Sequence, residues 1–171
     1  MNQENLSRFV QLFTLHDPDA TQRVRERLEL ALSDPAAYQE QYADELEERD
    51  MADALPAQEL RDVALIDALY SEGLLWESDA SEPATVLVED VNDALAAQGR
   101  TQRVDDSALA GRRNVGPEVL DALQDALEPL GLALVLFALD SDSYPLSLVA
   151  DAQTEQAREL AKELRFGVTI Y

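Results

Sequence analysis

The 171-residue sequence contains no cysteine, one histidine and one lysine. Without cysteine there is no disulfide, no thiolate metal site and no thiol nucleophile. The lone His16 leaves no histidine-rich metal site, and no serine or second base stands at a spacing that would make it catalytic. It reads as a surface or capping residue at a helix junction. Lys162 stands beside twelve arginines and abundant Ala, Leu and Asp, a bias that fits a GC-rich genome and equally a salt-adapted proteome. The longest apolar run, Leu130 to Leu139, covers ten residues, against the roughly 20 of a membrane span. Met1-Asn2-Gln3-Glu4-Asn5 carries neither a basic n-region nor an apolar h-region. No secretory signal is read there, and a cytoplasmic location is expected.

Positive charge is also scarce. Thirteen basic residues face 35 acidic ones, a formal net charge of −22. That field repels phosphate backbones and anionic lipid surfaces, which argues against nucleic acid and membranes as partners. Apolar residues make up 46% of the chain, enough to build a core rather than a disordered tail. The length suits a single domain over 1–171, with a helical subregion at 1–72 and an α+β subregion at 73–171.

The periodicity of the first part is helical. Leu6, Phe9, Val10 and Phe13 share one helix face. Asp17-Pro18 caps and opens a second helix, with Val24, Leu28 and Leu32 as its stripe. Ser33-Asp34-Pro35 opens a third helix, carrying Tyr38, Tyr42 and Leu46 on one face. Pro56 opens a fourth, with Leu60, Val63 and Leu69 or Tyr70, and Gly73 stops it. Leu74-Leu75-Trp76 reads as a short buried strand, ended by the polar stretch from Glu77 to Glu82. Pro83 opens a helix with Leu87, Val91 and Leu95 inward, closed by Gly99. Residues 100–116 lack periodicity and read as a loop, and Pro117 restarts a helix with Leu120, Leu123 and Leu127.

The last part of the chain gives strand, tight turn, strand, helix, strand. Leu132 to Leu139 is continuously apolar, as in a strand buried on both faces. Asp140-Ser141-Asp142-Ser143 is a turn, and Tyr144 to Val149 a second strand whose Pro145 predicts an edge or strand-start position. A helix over about 152–165 and a strand over 168–171 follow. The expected fold is α+β, a helical N-terminal half packed on a small, mainly antiparallel sheet with a β-β-α-β C-terminal unit.

The apolar strand followed by Asp140-Ser141-Asp142-Ser143-Tyr144, with the hydrophobic–Trp–acidic stretch Leu74 to Asp79 upstream, resembles an uncharacterised family of small acidic bacterial proteins that carry a domain of unknown function. The resemblance runs from Leu74 onward and leaves out the helical first third. It implies the C-terminal strand, turn, strand, helix, strand order and no chemistry.

Four features stand out as candidate sites. Asp140 and Asp142, with Ser141, Ser143 and Tyr144, offer the oxygens that Mg²⁺ or Ca²⁺ takes, although the EF-hand glycine and bidentate glutamate are missing. The same residues equally suit a turn that satisfies its own backbone. Arg100, Arg103, Arg112 and Arg113 form the one locally basic stretch, either an anion clamp or a neutraliser of the chain's own acidic surface. Gly111 and Gly116 have P-loop spacing, but Pro117-Glu118 stands where Lys-Ser/Thr would reach phosphate, so no nucleotide site or other cofactor is read. Glu40 to Asp53 holds seven acids and one arginine, a solvated face or a docking surface with Tyr38 and Tyr42 as anchors at its edge.

Three function classes remain. The leading one is a protein-binding module for a basic partner, in its most concrete form an immunity protein that neutralises a basic toxin. The alternatives are a carboxylate-based, Mg²⁺-assisted enzyme using the Asp140/Asp142 turn, and a housekeeping domain with no specific partner, whose acidity records only the host's proteome.

Overall fold

The computed structural model describes residues 2–15 and 17–171. His16 lies outside the described residues. Asn2 opens helix α1 (Gln3–Thr14), its side chain accepting from the Glu4 and Asn5 amides. Asp17 does the same for α2 (Pro18–Ser33), accepting from Asp19 and Ala20. Each cap satisfies amide donors that have no partner inside the helix. Helices α3 (Pro35–Gln41), α4 (Ala43–Glu48) and α5 (Ala57–Ser71) complete the N-terminal set. Then follow β1 (Trp76–Asp79), α6 (Ala84–Ala97), α7 (Pro117–Leu127), β2 (Leu132–Phe137), β3 (Ser143–Ala150), α8 (Thr154–Leu164) and β4 (Val168–Ile170).

The four strands form one antiparallel sheet in the order β1-β3-β2-β4. The expected α+β architecture and its β-β-α-β ending are present as β2, β3, α8 and β4. Alternation along the strands feeds two cores, one on each face of the sheet. Ala133, Val135, Phe137 and Val149 pack with α1, α2, α5 and α8. Leu132, Leu134, Leu146 and Leu148 pack with α6 and α7. The N-terminal helices thus cover one face, joined there by α8, and the later helices cover the other.

Three local expectations are corrected. The third helix is broken at Tyr42 into α3 and α4, and the Tyr38 and Tyr42 rings both pack against the Arg27 guanidinium. The first strand begins at Trp76 and runs through the polar Glu77 and Asp79, while Leu74 and Leu75 are buried before it. Pairing with Ser143 to Leu146 sustains this polar strand. Pro145 sits in an interior strand. It is tolerated because it lies just past the last β2–β3 pair, Leu136 with Leu146. Ladder alternation places Pro145 opposite Phe137, and its ring has no N–H to give the Phe137 carbonyl. Beyond that point the two strands part. The 100–116 segment has no helix or strand, as expected, and is pinned by Asn92, whose side chain bonds both the N–H and the C=O of Val104.

No helix among the described residues is long and apolar enough to cross a membrane.

On α6, Asp90 is half-buried beside Glu82, Asp93 and Glu89. Burial first, and those neighbouring carboxylates second, push its carboxyl up to about 6. The folded state therefore holds this proton more tightly than the unfolded chain does. The associated stability is present below about pH 4, near the ordinary aspartate value, and is lost as the pH rises through the raised value. We expect Asp90→Asn to raise the melting temperature at pH 7, by the equivalent of about 1 kcal/mol at most because the group is partly solvated. The gain should shrink toward zero at pH 4. Thermal melts of both proteins at the two pH values check this, and an equal shift at both would refute the assignment.

Candidate functional site

The acidic run from Glu40 to Asp53 lies on α3, α4 and the segment after them. Glu40, Asp44, Glu45, Glu47, Glu48, Asp50 and Asp53 are all exposed. The single arginine in the run, Arg49, turns inward. Its Nε and Nη2 donate to Asp67 Oδ1 at 2.8 and 2.5 Å, and its Nη1 donates to Glu77 Oε1 at 2.8 Å. Arg27 enters the same buried region from α2. Its Nε donates to the Tyr38 hydroxyl at 3.0 Å and its Nη2 to Glu45 Oε2 at 2.5 Å, while its guanidinium lies 3.9 Å above the Tyr42 ring. Asp67 Oδ2 is 3.8 Å from Arg27 Nη2 and accepts no hydrogen bond among the described residues. The result is an alternating ladder, Glu45–Arg27–Asp67–Arg49–Glu77, tying α2, α4, α5 and β1 together.

Burial governs this ladder. Arg27 is 9% exposed, Asp67 6% and Tyr38 0%. Desolvation pushes the Asp67 carboxyl above its ordinary value, opposed by the hydrogen bonds from Arg49. Desolvation likewise pushes the Tyr38 hydroxyl up to about 12, opposed by Arg27. Both arginines stay charged, because their carboxylate partners outweigh the cost of burial. Tyr38 therefore belongs to the core and not to the edge of a docking face. Tyr42 is half-buried with one ring face taken by Arg27, so neither aromatic stands free as an anchor. The charged groups that face outward on this arm are all carboxylates.

Arg27 and Asp67 were visible as a pattern. Val24, Arg27, Leu28 and Ala31 fall on one helix stripe, as do Leu60, Val63, Ala64 and Asp67. A charge set in an apolar stripe marks a buried polar partner. Its counterpart is 18 residues away for Arg49 and Asp67, a separation that periodicity does not reveal.

The Asp140–Tyr144 turn sits where β2 and β3 part. Ser141 and Ser143 bond each other at 2.9 Å, and the Ser143 amide donates to Ser141 Oγ at 3.1 Å. The hydroxyls thus serve the turn itself. The Asp140 and Asp142 carboxylates are exposed and have no hydrogen-bond or ion-pair partner among the described residues. They do not converge. Asp142 borders a hollow of about 510 Å³ with Leu136, Ala138, Tyr144 and Thr169. Asp140 borders a different one, with Pro56, Glu59, Asp62 and Leu139. Among the described residues no three His, Asp or Glu side chains group in a way that would hold a metal ion.

Arg112 and Arg113 are exposed on the rim of a third hollow beside the start of α7. Arg100 is half-buried, with Nε donating to Gln98 Oε1 at 2.8 Å. Among the described residues, none of Arg100, Arg103, Arg112 and Arg113 forms an ion pair.

Fold and site together define an α+β protein with a sheet between two helical layers and an exposed carboxylate face over a buried ion-pair ladder. The chain belongs to the family described as domain of unknown function (DUF6630), whose model matches residues 5–171. The match spans the helical first third as well as the C-terminal unit. No curated protein and no solved structure matches the chain.

Proposed function

We propose that this protein is a binding module for a basic protein partner, docking through the outer face of α3 and α4. One observation carries the reading: the only base in the Glu40–Asp53 run is turned inward and spent on Asp67 and Glu77, so the exposed side, apart from Glu45 paired with Arg27, presents carboxylates with no basic residue of the run beside them. Such a surface accelerates encounter with a positive partner and selects against negative ones. The ladder beneath holds the two short helices in place before a partner arrives, which lowers the ordering cost of docking. Neutralisation of a basic toxin by an immunity protein is the most concrete form of this function, with the cytoplasm as the place of action.

The test is capture from a lysate of the source organism at about 0.1 M and about 0.5 M salt, a range over which exposed charges become strongly screened. Wild type is compared with an arm variant carrying Glu40→Gln, Asp44→Asn, Glu47→Gln and Glu48→Gln. We expect one basic protein to be retained by wild type at low salt, released at high salt, and missed by the arm variant. Equal retention by both proteins would place the contact elsewhere. An empty eluate would support the housekeeping reading.

A further inference from the structure

The sheet has one corner that neither helical layer covers. On the face packed against α6 and α7, Leu132, Leu134, Leu146 and Leu148 are fully buried, but Leu136 and Tyr144 are only half-buried and Thr169 is exposed. These residues line the hollow of about 510 Å³ at the point where Pro145 separates β3 from β2. Its volume falls in the range of about 300–1,000 Å³ usual for ligand sites. The floor is aliphatic and aromatic. The polar side chains around it are one carboxylate and hydroxyls, from Asp142, Ser141, Ser143, Tyr144 and Thr169, and beside them lies the Phe137 carbonyl that Pro145 leaves without its ladder donor. Among the described residues, no arginine or lysine lines it.

An apolar floor with a ring at its side and acceptors on its rim suits a side chain with an aliphatic stem and a planar cationic head. Arginine has that shape and five N–H donors with no acceptor. Its guanidinium stacks on a tyrosine ring face while donating to a carboxylate. We infer that this corner is a receptor for an arginine side chain of a basic partner, a second contact point on the sheet face turned away from α3 and α4, with Tyr144 contacting the guanidinium, Asp142 accepting from it, and Leu136 and Ala138 packing on its stem. This inference rests on the basic-partner reading above and adds the residue recognised and the place where it seats. A charge-only surface confers little specificity, whereas one anchored arginine fixes register.

The probe is N-acetyl-arginine amide, titrated into the full chain and followed by amide and side-chain NMR shifts. We expect saturable shifts confined to Leu136, Asp142, Tyr144 and Thr169 at millimolar ligand. The neutral isostere N-acetyl-citrulline amide should give none. Asp142→Asn should weaken binding by about three- to fivefold, as removal of one partly solvated carboxylate predicts. Tyr144→Leu, which keeps the apolar volume, should weaken it by about threefold. The arm variant should bind the probe as wild type does. Shifts spread over the whole acidic surface without saturation, equal shifts with citrulline, or no loss in Asp142→Asn would each overturn the inference. So would movement of the same signals with protein concentration alone, which would make a second copy of this chain the occupant. If the corner fails while arm-dependent capture survives, the basic-partner reading stands and this inference falls.

Discussion

Asp67→Ala is expected to cost about 3–5 kcal/mol of stability, the usual loss when one member of a buried ion network is removed and its partners remain. Asp67 is the centre of the ladder, receiving two hydrogen bonds from Arg49 and lying 3.8 Å from Arg27. Its removal leaves the Arg27 and Arg49 guanidinium groups without the carboxylate between them, with Glu45 and Glu77 as their remaining counter-charges among the described residues. For a chain of this length the loss corresponds to a fall in melting temperature of about 10 °C. It should appear first in α3 and α4, which are 7 and 6 residues long and too short to hold as isolated helices. Chemical denaturation gives the total, and amide exchange over 35–48 shows where it falls. A loss below about 1 kcal/mol would show that the arm is held by its apolar contacts, Leu46 and Tyr38, and not by the ladder. A triple variant, Arg27→Met, Asp67→Leu and Arg49→Met, separates cause from coincidence. Removing all the buried charge together takes away the desolvation cost along with the attraction, so it should recover most of the stability that Asp67→Ala loses.

The ladder also marks the boundary of what the sequence discloses. Helices α1, α2, α5, α6 and α7 were legible because their stripes and their Asp, Pro and Gly boundaries are local features, set within a few residues of each other. The C-terminal strands were legible for the same reason, since a continuous apolar run between polar turns has few other uses. β1 was displaced because Glu77 and Asp79 look like solvent-facing turn residues. Their place in a strand depends on β3, more than sixty positions away in the chain. Tyr38 was legible as part of a stripe but not as a buried partner of Arg27, because that contact crosses from one helix to another. The Asp140/Asp142 pair shows the converse limit. Two carboxylates two positions apart read as a cluster, and the structure sends them into different hollows because the strands diverge at Pro145. Sequence proximity fixes distance along the chain, not the direction in which a turn aims its side chains.

That divergence supplies the second large prediction, made on two neighbouring residues of β2. Phe137 is 2% exposed and faces the helical side, its ring 5.8 Å from Phe13, which in turn lies 5.4 Å from Phe9. Phe9 also stacks on Phe166 at 5.4 Å. This aromatic chain joins α1, β2 and the segment leading into β4. Phe137→Ala should cost about 3–5 kcal/mol, combining the lost transfer energy with a cavity that rigid neighbours cannot close. Leu136 points to the opposite face and remains half-open to the hollow beside Tyr144. Truncation there leaves little new cavity, because solvent already reaches the side chain, and Leu136→Ala should cost only about 1 kcal/mol. The order should reverse for ligand. Leu136→Ala removes the surface on which an arginine stem packs and should weaken N-acetyl-arginine amide severalfold, whereas the folded fraction of Phe137→Ala should bind it as wild type does. Denaturant titration and the NMR titration, run on both variants, decide the matter. If Leu136→Ala proves as destabilising as Phe137→Ala, the corner is core that breathes, and the hollow is not a site. If it costs little stability and much affinity, one strand divides its two faces between holding the fold and receiving the partner.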